Sequence, residues 1–195
     1  MATITPADPR APTAGEQRAL TKCGEVYLQI KRLTGDTMYN NKTQEKQADL
    51  LTDTYQRLSL FNQILAGVTT GSLILAIFRN SQWESILGAF FGTLNFIITL
   101  RMQAVNYPKL AANHSKAAQN LWPVRERLKS LMTDMHDEVP NPDDVRTARE
   151  LIVHDLATIF ADAPRTSGKA FALAQKALKG NEHTYTEDEL RRLTS

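Results

Sequence analysis

Two long uncharged stretches, separated by six polar residues, constrain this chain more than any other feature. The first, LSLFNQILAGVTTGSLILAIF (58–78), runs for 21 residues without a charge. As a helix it would be about 31 Å long, close to the ~30 Å hydrocarbon layer of a bilayer. The second, SILGAFFGTLNFIITL (85–100), has 16 such residues and reaches Val105 if Arg101 snorkels its guanidinium to the interface. Between them, Arg79–Glu84 forms a short polar connection with Trp83 placed as an interfacial aromatic. The expected fold is all-α: an integral membrane two-helix hairpin, with spans at 58–78 and 85–105, flanked by long cytoplasmic amphipathic helices. The competing reading is a pair of buried helices in a soluble bundle, which are also apolar all round. Such a core would need several amphipathic helices to wrap it.

Basic residues set the orientation. Lys42, Lys46 and Arg57 precede the first span, Arg101, Lys109 and Lys116 follow the second, and only Arg79 lies in the connection. By the positive-inside rule both termini are expected in the cytoplasm. Residues 1–15 hold three prolines and no apolar h-region, so they read as a disordered leader rather than a secretory signal.

The flanks are ordinary charged sequence. Residues 16–34 place Leu20, Cys23, Tyr27 and Ile30 on one helical stripe, and Thr34-Gly35-Asp36 is expected to end that helix as a turn. A second helix is expected to start near Lys42 and to run without a breaker into the first span. After the second span, Tyr107, Leu110, His114, Ala117, Leu121, Val124, Leu128, Leu131 and Met135 recur every three or four residues. That is a heptad-type seam for a partner helix, with Pro108 and Pro123 expected to kink it. Val139-Pro140-Asn141-Pro142 reads as a linker, dividing a two-span domain (16–139) from C-terminal cytoplasmic helices (140–195). Those are expected at 143–161 and 169–178, with a last one opened by a Thr186–Glu189 capping box.

Chemistry-bearing motifs are sparse. The net charge of +2 offers no basic patch for nucleic acid, so direct nucleic-acid binding is not expected. A single cysteine, Cys23, excludes an internal disulfide and a cysteine metal cluster. The four histidines have no metal-ligand spacing, and His154-Asp155 reads as a solvated helix face. The sequons at Asn41 and Asn113 fall on the expected cytoplasmic side. No catalytic residue, metal or cofactor is expected, and the chain is read as a non-enzyme.

The spans carry the informative residues. Gly67 and Gly71, and Gly88 and Gly92, form two small-xxx-small notches suited to close helix packing. In the second span Ser85, Gly88, Gly92, Asn95, Thr99 and Gln103 share a face. In the first, Ser59, Asn62, Gln63, Ala66, Thr69 and Thr70 cluster on about a third of the circumference. Either these faces glue hairpins together, or assembly lines a wet path with them, because polar side chains in a span are costly unless paired or hydrated. Both readings imply a homo-oligomer in the lipid bilayer. His114, on the seam just below the membrane, is expected to be a structural histidine, with a pH sensor as the alternative.

An N-terminal amphipathic helix, a helix running into a two-span hairpin, and a long helix opening with His114-Ser-Lys-Ala-Ala-Gln-Asn-Leu121 together resemble the SLATT family. These are two-transmembrane effector domains associated with SMODS nucleotidyltransferases and SLOG sensor domains. The tail, Ala174–Glu182 followed by Thr186–Leu190, is similar to the acidic-capped ending of some members. The resemblance implies an effector of a bacterial anti-phage or conflict system, in the inner (plasma) membrane. A signalling partner, whether a nucleotidyltransferase, a SLOG-type sensor or a reverse transcriptase, would trigger it to oligomerise into a pore or otherwise breach the membrane. On that implication Asn62, Thr69, Asn95 and Thr99 become candidate pore-facing positions, and the cytoplasmic helices with the Tyr107–Met135 seam would hold the assembly or receive the signal. The rival expectation is a passive two-span scaffold that anchors a partner through its cytoplasmic helices. A weaker third is a soluble bundle that inserts only on activation.

Overall fold

A computed structural model describes residues 14–79, 82–137 and 141–180, and all of their regular structure is helical. α1 spans Ala14–Arg79, α2 Gln82–Val105, α3 Tyr107–Asp137, α4 Pro142–Asp162 and α5 Gly168–Lys179. The Thr186–Glu189 capping box lies outside the described residues.

α1 corrects the expected turn at Thr34-Gly35-Asp36, because the helix runs through it without a break. Thr34 is buried, its hydroxyl donates to the Ile30 carbonyl at 2.8 Å, and it lies 3.4 Å from Met132 Sδ on α3. Packing against α3 thus outweighs the local turn chemistry, and Gly35 sits in open helix with nothing near an added Cβ. The irregularity lies earlier, at Gly24, where φ is +42° and ψ −118° inside the helix. A side chain rarely adopts that backbone, so glycine there sets a kink.

The heptad seam of α3 finds its partner within the chain. Tyr107, His114, Leu121, Leu128 and Met135 are buried, with Ala111 and Ala118 beside them. Leu110, which periodicity placed on the seam, is 37 % exposed; Ala111 takes its place, and Leu131 is half-buried. Small residues at 111 and 118 allow a close approach at this end of α3. α3 continues across Pro123, while Pro108 falls in its first turn, where a missing N–H leaves no bond unmade. The break between α2 and α3 is Asn106, with φ +47°, whose side chain accepts from the Lys109 N–H at 3.4 Å.

Far from the hairpin, α1, α3 and α4 enclose one apolar core. Cys23, Tyr27 and Ile30 meet Leu121, Leu128 and Met135, with Val145, Ile152 and Leu156 from α4. α4 starts at an N-cap: Asn141 Oδ1 accepts from the Asp143 N–H, with Pro142 in the first turn. α5 lays Ala170, Ala174 and Ala177 against α1, and Tyr39 stacks on Phe171 with ring centroids 6.0 Å apart.

Candidate functional site: the apolar hairpin and the polar layer beneath it

The upper part of α1 packs along α2 as a helical hairpin whose outer surface is apolar and open. Almost none of the residues in the two apolar windows is buried. Ile77 is 79 %, Phe78 83 % and Trp83 76 % exposed, and Leu60, Ile86, Phe90 and Ile97 are exposed as well. This is the reverse of a soluble core, whose helices hide such residues. α2, at 24 residues, is about 36 Å long, enough for a bilayer core.

The two glycine pairs have different surroundings. A Cβ on Gly88 would meet Ser72 Oγ at 3.0 Å and Leu73 Cδ2 at 3.1 Å, and one on Gly92 would meet Thr69 Cγ2 at 3.4 Å. Gly88 and Gly92 therefore hold α2 close to α1. Around Gly67 and Gly71 there is nothing within 4 Å, so that notch faces away from α2.

Asn62, Thr69, Asn95 and Thr99 are all half-buried at the same α1–α2 seam. The Thr99 hydroxyl lies 2.9 Å from its Asn95 carbonyl acceptor and 3.3 Å from Asn62 Oδ1. Thr69 donates to the Leu65 carbonyl at 2.8 Å. Asn95 Oδ1 is enclosed and has no hydrogen-bond partner among the described residues. An orphaned acceptor of this kind costs about 1–3 kcal/mol. At the α3 end the seam opens into a cavity of about 420 Å³ lined by Tyr55, Asn62, Thr99, Gln103 and Asn106.

Below the hairpin lies a buried polar layer that periodicity did not reveal. His114 Nδ1 donates to Gln44 Oε1 at 2.6 Å, and Gln44 Nε2 donates onward to the Pro164 carbonyl in the α4–α5 connection at 3.1 Å. Asn41 Nδ2 donates to the Ala118 carbonyl at 2.7 Å, and Asn41 Oδ1 accepts from Arg125 Nη1 at 3.1 Å. Gln47 Oε1 accepts from the Ser167 N–H at 2.9 Å and from its hydroxyl at 2.7 Å. Thr37, Lys42 and Thr43 are buried in the same stretch of α1. One stretch of α1 is thus joined to α3 and to the start of α5 by directional bonds as well as by apolar packing. Burial pushes the His114 imidazole below its ordinary value of 6.5, so the neutral ring is the form held there. At the far end, the Tyr27 hydroxyl lies between Glu16 Oε1 (3.2 Å) and His136 Nε2 (2.9 Å), and burial, with Glu16 second, raises its pKa.

His154 is exposed, and Asp155 pairs with Arg127 of α3, so that dipeptide is surface structure. No cluster of three potential metal-binding side chains occurs among the described residues.

These features define an all-helical protein with two exposed apolar helices, each long enough to cross a membrane, standing on a polar-layered bundle. Residues 26–189 match the SMODS and SLOG-associating 2TM effector domain family 4, and the chain belongs to that family. The family description and the exposed apolar helices together make it a membrane protein of the two-transmembrane effector class. No curated protein and no solved structure matches the chain.

Proposed function

We propose that this protein is a non-enzymatic membrane effector of a bacterial conflict system. It rests as a closed hairpin in the inner membrane and, on a signal from a partner, opens as an oligomer to breach that membrane. Both termini lie in the cytoplasm, where α3–α5 receive the partner. The family's association with SMODS and SLOG domains favours one that makes or senses a nucleotide signal.

The carrying observation is the polar seam. Two helices with apolar outer surfaces enclose Asn62, Thr69, Asn95 and Thr99 between them, and the Asn95 acceptor is unsatisfied there. A seam built only as glue would satisfy its amides, whereas a seam that is hydrated in another state need not. Parting the helices turns these four side chains toward water, and the polar layer at Gln44 and His114 is the joint through which the bundle drives that parting.

The test is membrane potential, followed with a voltage-sensitive dye in bacteria expressing the chain with its neighbouring genes and their trigger. Collapse of the potential before loss of viability supports the breach. Growth arrest at unchanged potential sinks it and leaves the scaffold reading, in which the hairpin only anchors a partner.

A further inference from the structure

The polar face of the first span extends past its seam with α2. At about 100° per residue, Gln63 and Thr70 lie roughly 80–120° around the helix from the seam residues Asn62 and Thr69, and Gly67 roughly 140–160°. All three are exposed. The Thr70 hydroxyl is satisfied by the Ala66 carbonyl at 2.9 Å, but the Gln63 amide is not: its one contact among the described residues is Ser59 Oγ at 3.5 Å. The outer face of α2 differs. It offers Ile86, Phe90 and Ile97 to the surroundings, and its one hydroxyl, on Thr93, donates to the Ala89 carbonyl at 2.8 Å. One side of the hairpin is thus fit for lipid, and the other carries an amide that lipid cannot satisfy.

We propose that the Gln63–Gly67–Thr70 face of α1 is the surface through which a second copy of this chain docks in the bilayer, with the two Gln63 amides bonding each other across it. An amide is both donor and acceptor, so a twofold pairing of the same face on two copies satisfies both sides at once. Open space around Gly67 lets the partner backbone come close. The same side of α1 continues below into a groove of about 560 Å³ lined by Thr52, Gln56, Pro108, Ala112 and Ser115, which extends the contact past the membrane surface. The contact exists before any trigger, because Gln63 needs its partner at all times. It rests on residues 58–78 spanning the membrane, and it names the partner in the oligomer proposed above.

The test uses the full chain in bacterial membranes with Cys23→Ser, so that one introduced cysteine reports alone. Gly67→Cys has room for its side chain, whereas Ile97→Cys marks the outer face of α2. Oxidation with copper–phenanthroline should give a disulfide-linked dimer at Gly67→Cys, less of it when Gln63→Leu is added, and none at Ile97→Cys. A dimer at Ile97→Cys alone, no dimer at Gly67→Cys in carbonate-resistant membranes, or a Gly67→Cys adduct with an unrelated protein overturns the proposal. Membrane potential in the same cells separates the two readings. A dimer without depolarisation removes the breach and keeps the contact, and depolarisation without a dimer does the opposite.

Discussion

At the scale of single residues, His114 is the group whose chemistry the fold most alters. The residue is 4 % exposed, and its ring donates to Gln44 and has its pKa depressed below 6.5 by burial. The unfolded chain titrates near 6.5, so it takes up a proton first as pH falls. The stability His114 contributes is therefore complete above about 6.5 and is lost as pH drops through that value toward the lower folded one. The thermal midpoint of detergent-solubilised protein should fall across this window. His114→Asn should start lower, by about 1–3 kcal/mol for the disturbed Gln44 bond, and should be flatter with pH. Parallel curves for the two proteins would place the titration elsewhere.

At the scale of elements, α1 shows what sequence reveals and what it does not. The two long apolar helices were legible because long uncharged runs have few alternatives, and the α3 seam because a seven-residue repeat survives from Tyr107 to Met135. The helix through Thr34-Gly35-Asp36 was not legible, since those residues favour a turn locally and only α3, distant in sequence, holds them straight. Nor was Gly24, which sits inside a strong helical stripe. Bonds such as Gln44 to His114 join residues 70 apart, and no periodicity reports them. Which glycine pair faces inward depends on how one helix is rotated against the other, and motif spacing is blind to that. The two glycines of α1 give opposite expectations. Gly35→Ala, in open regular helix, should stabilise by about 0.5–1 kcal/mol. Gly24→Ala, at φ +42°, should destabilise by about 1–2 kcal/mol. Thermal unfolding followed by helical circular dichroism reads both. Equal effects of one sign would mean that the kink is not at Gly24.

At the scale of the whole molecule, the arrangement stacks three kinds of contact. An apolar core joins α1, α3 and α4 at one end, directional polar bonds join α1 to α3 and the α4–α5 connection in the middle, and a polar seam closes the hairpin at the other end. Apolar contacts tolerate small slides, whereas a hydrogen-bonded layer has discrete partners and switches between them, so the middle layer is where a signal is best converted into hairpin motion. If the seam is the lining of the breached state, its polarity matters only after opening. Replacing Asn62 and Thr99 together by Leu and Val removes both partners of the Asn62–Thr99 contact, a change that can be nearly neutral for the closed form. The double variant should reach the membrane and form the Gly67 cross-link like the parent. On triggering it should depolarise cells far less, because the opened helices would present hydrocarbon where water must pass. Each single variant should fall between. Full depolarisation by the double variant would show that the seam is packing, and that the conducting surface lies elsewhere on the hairpin.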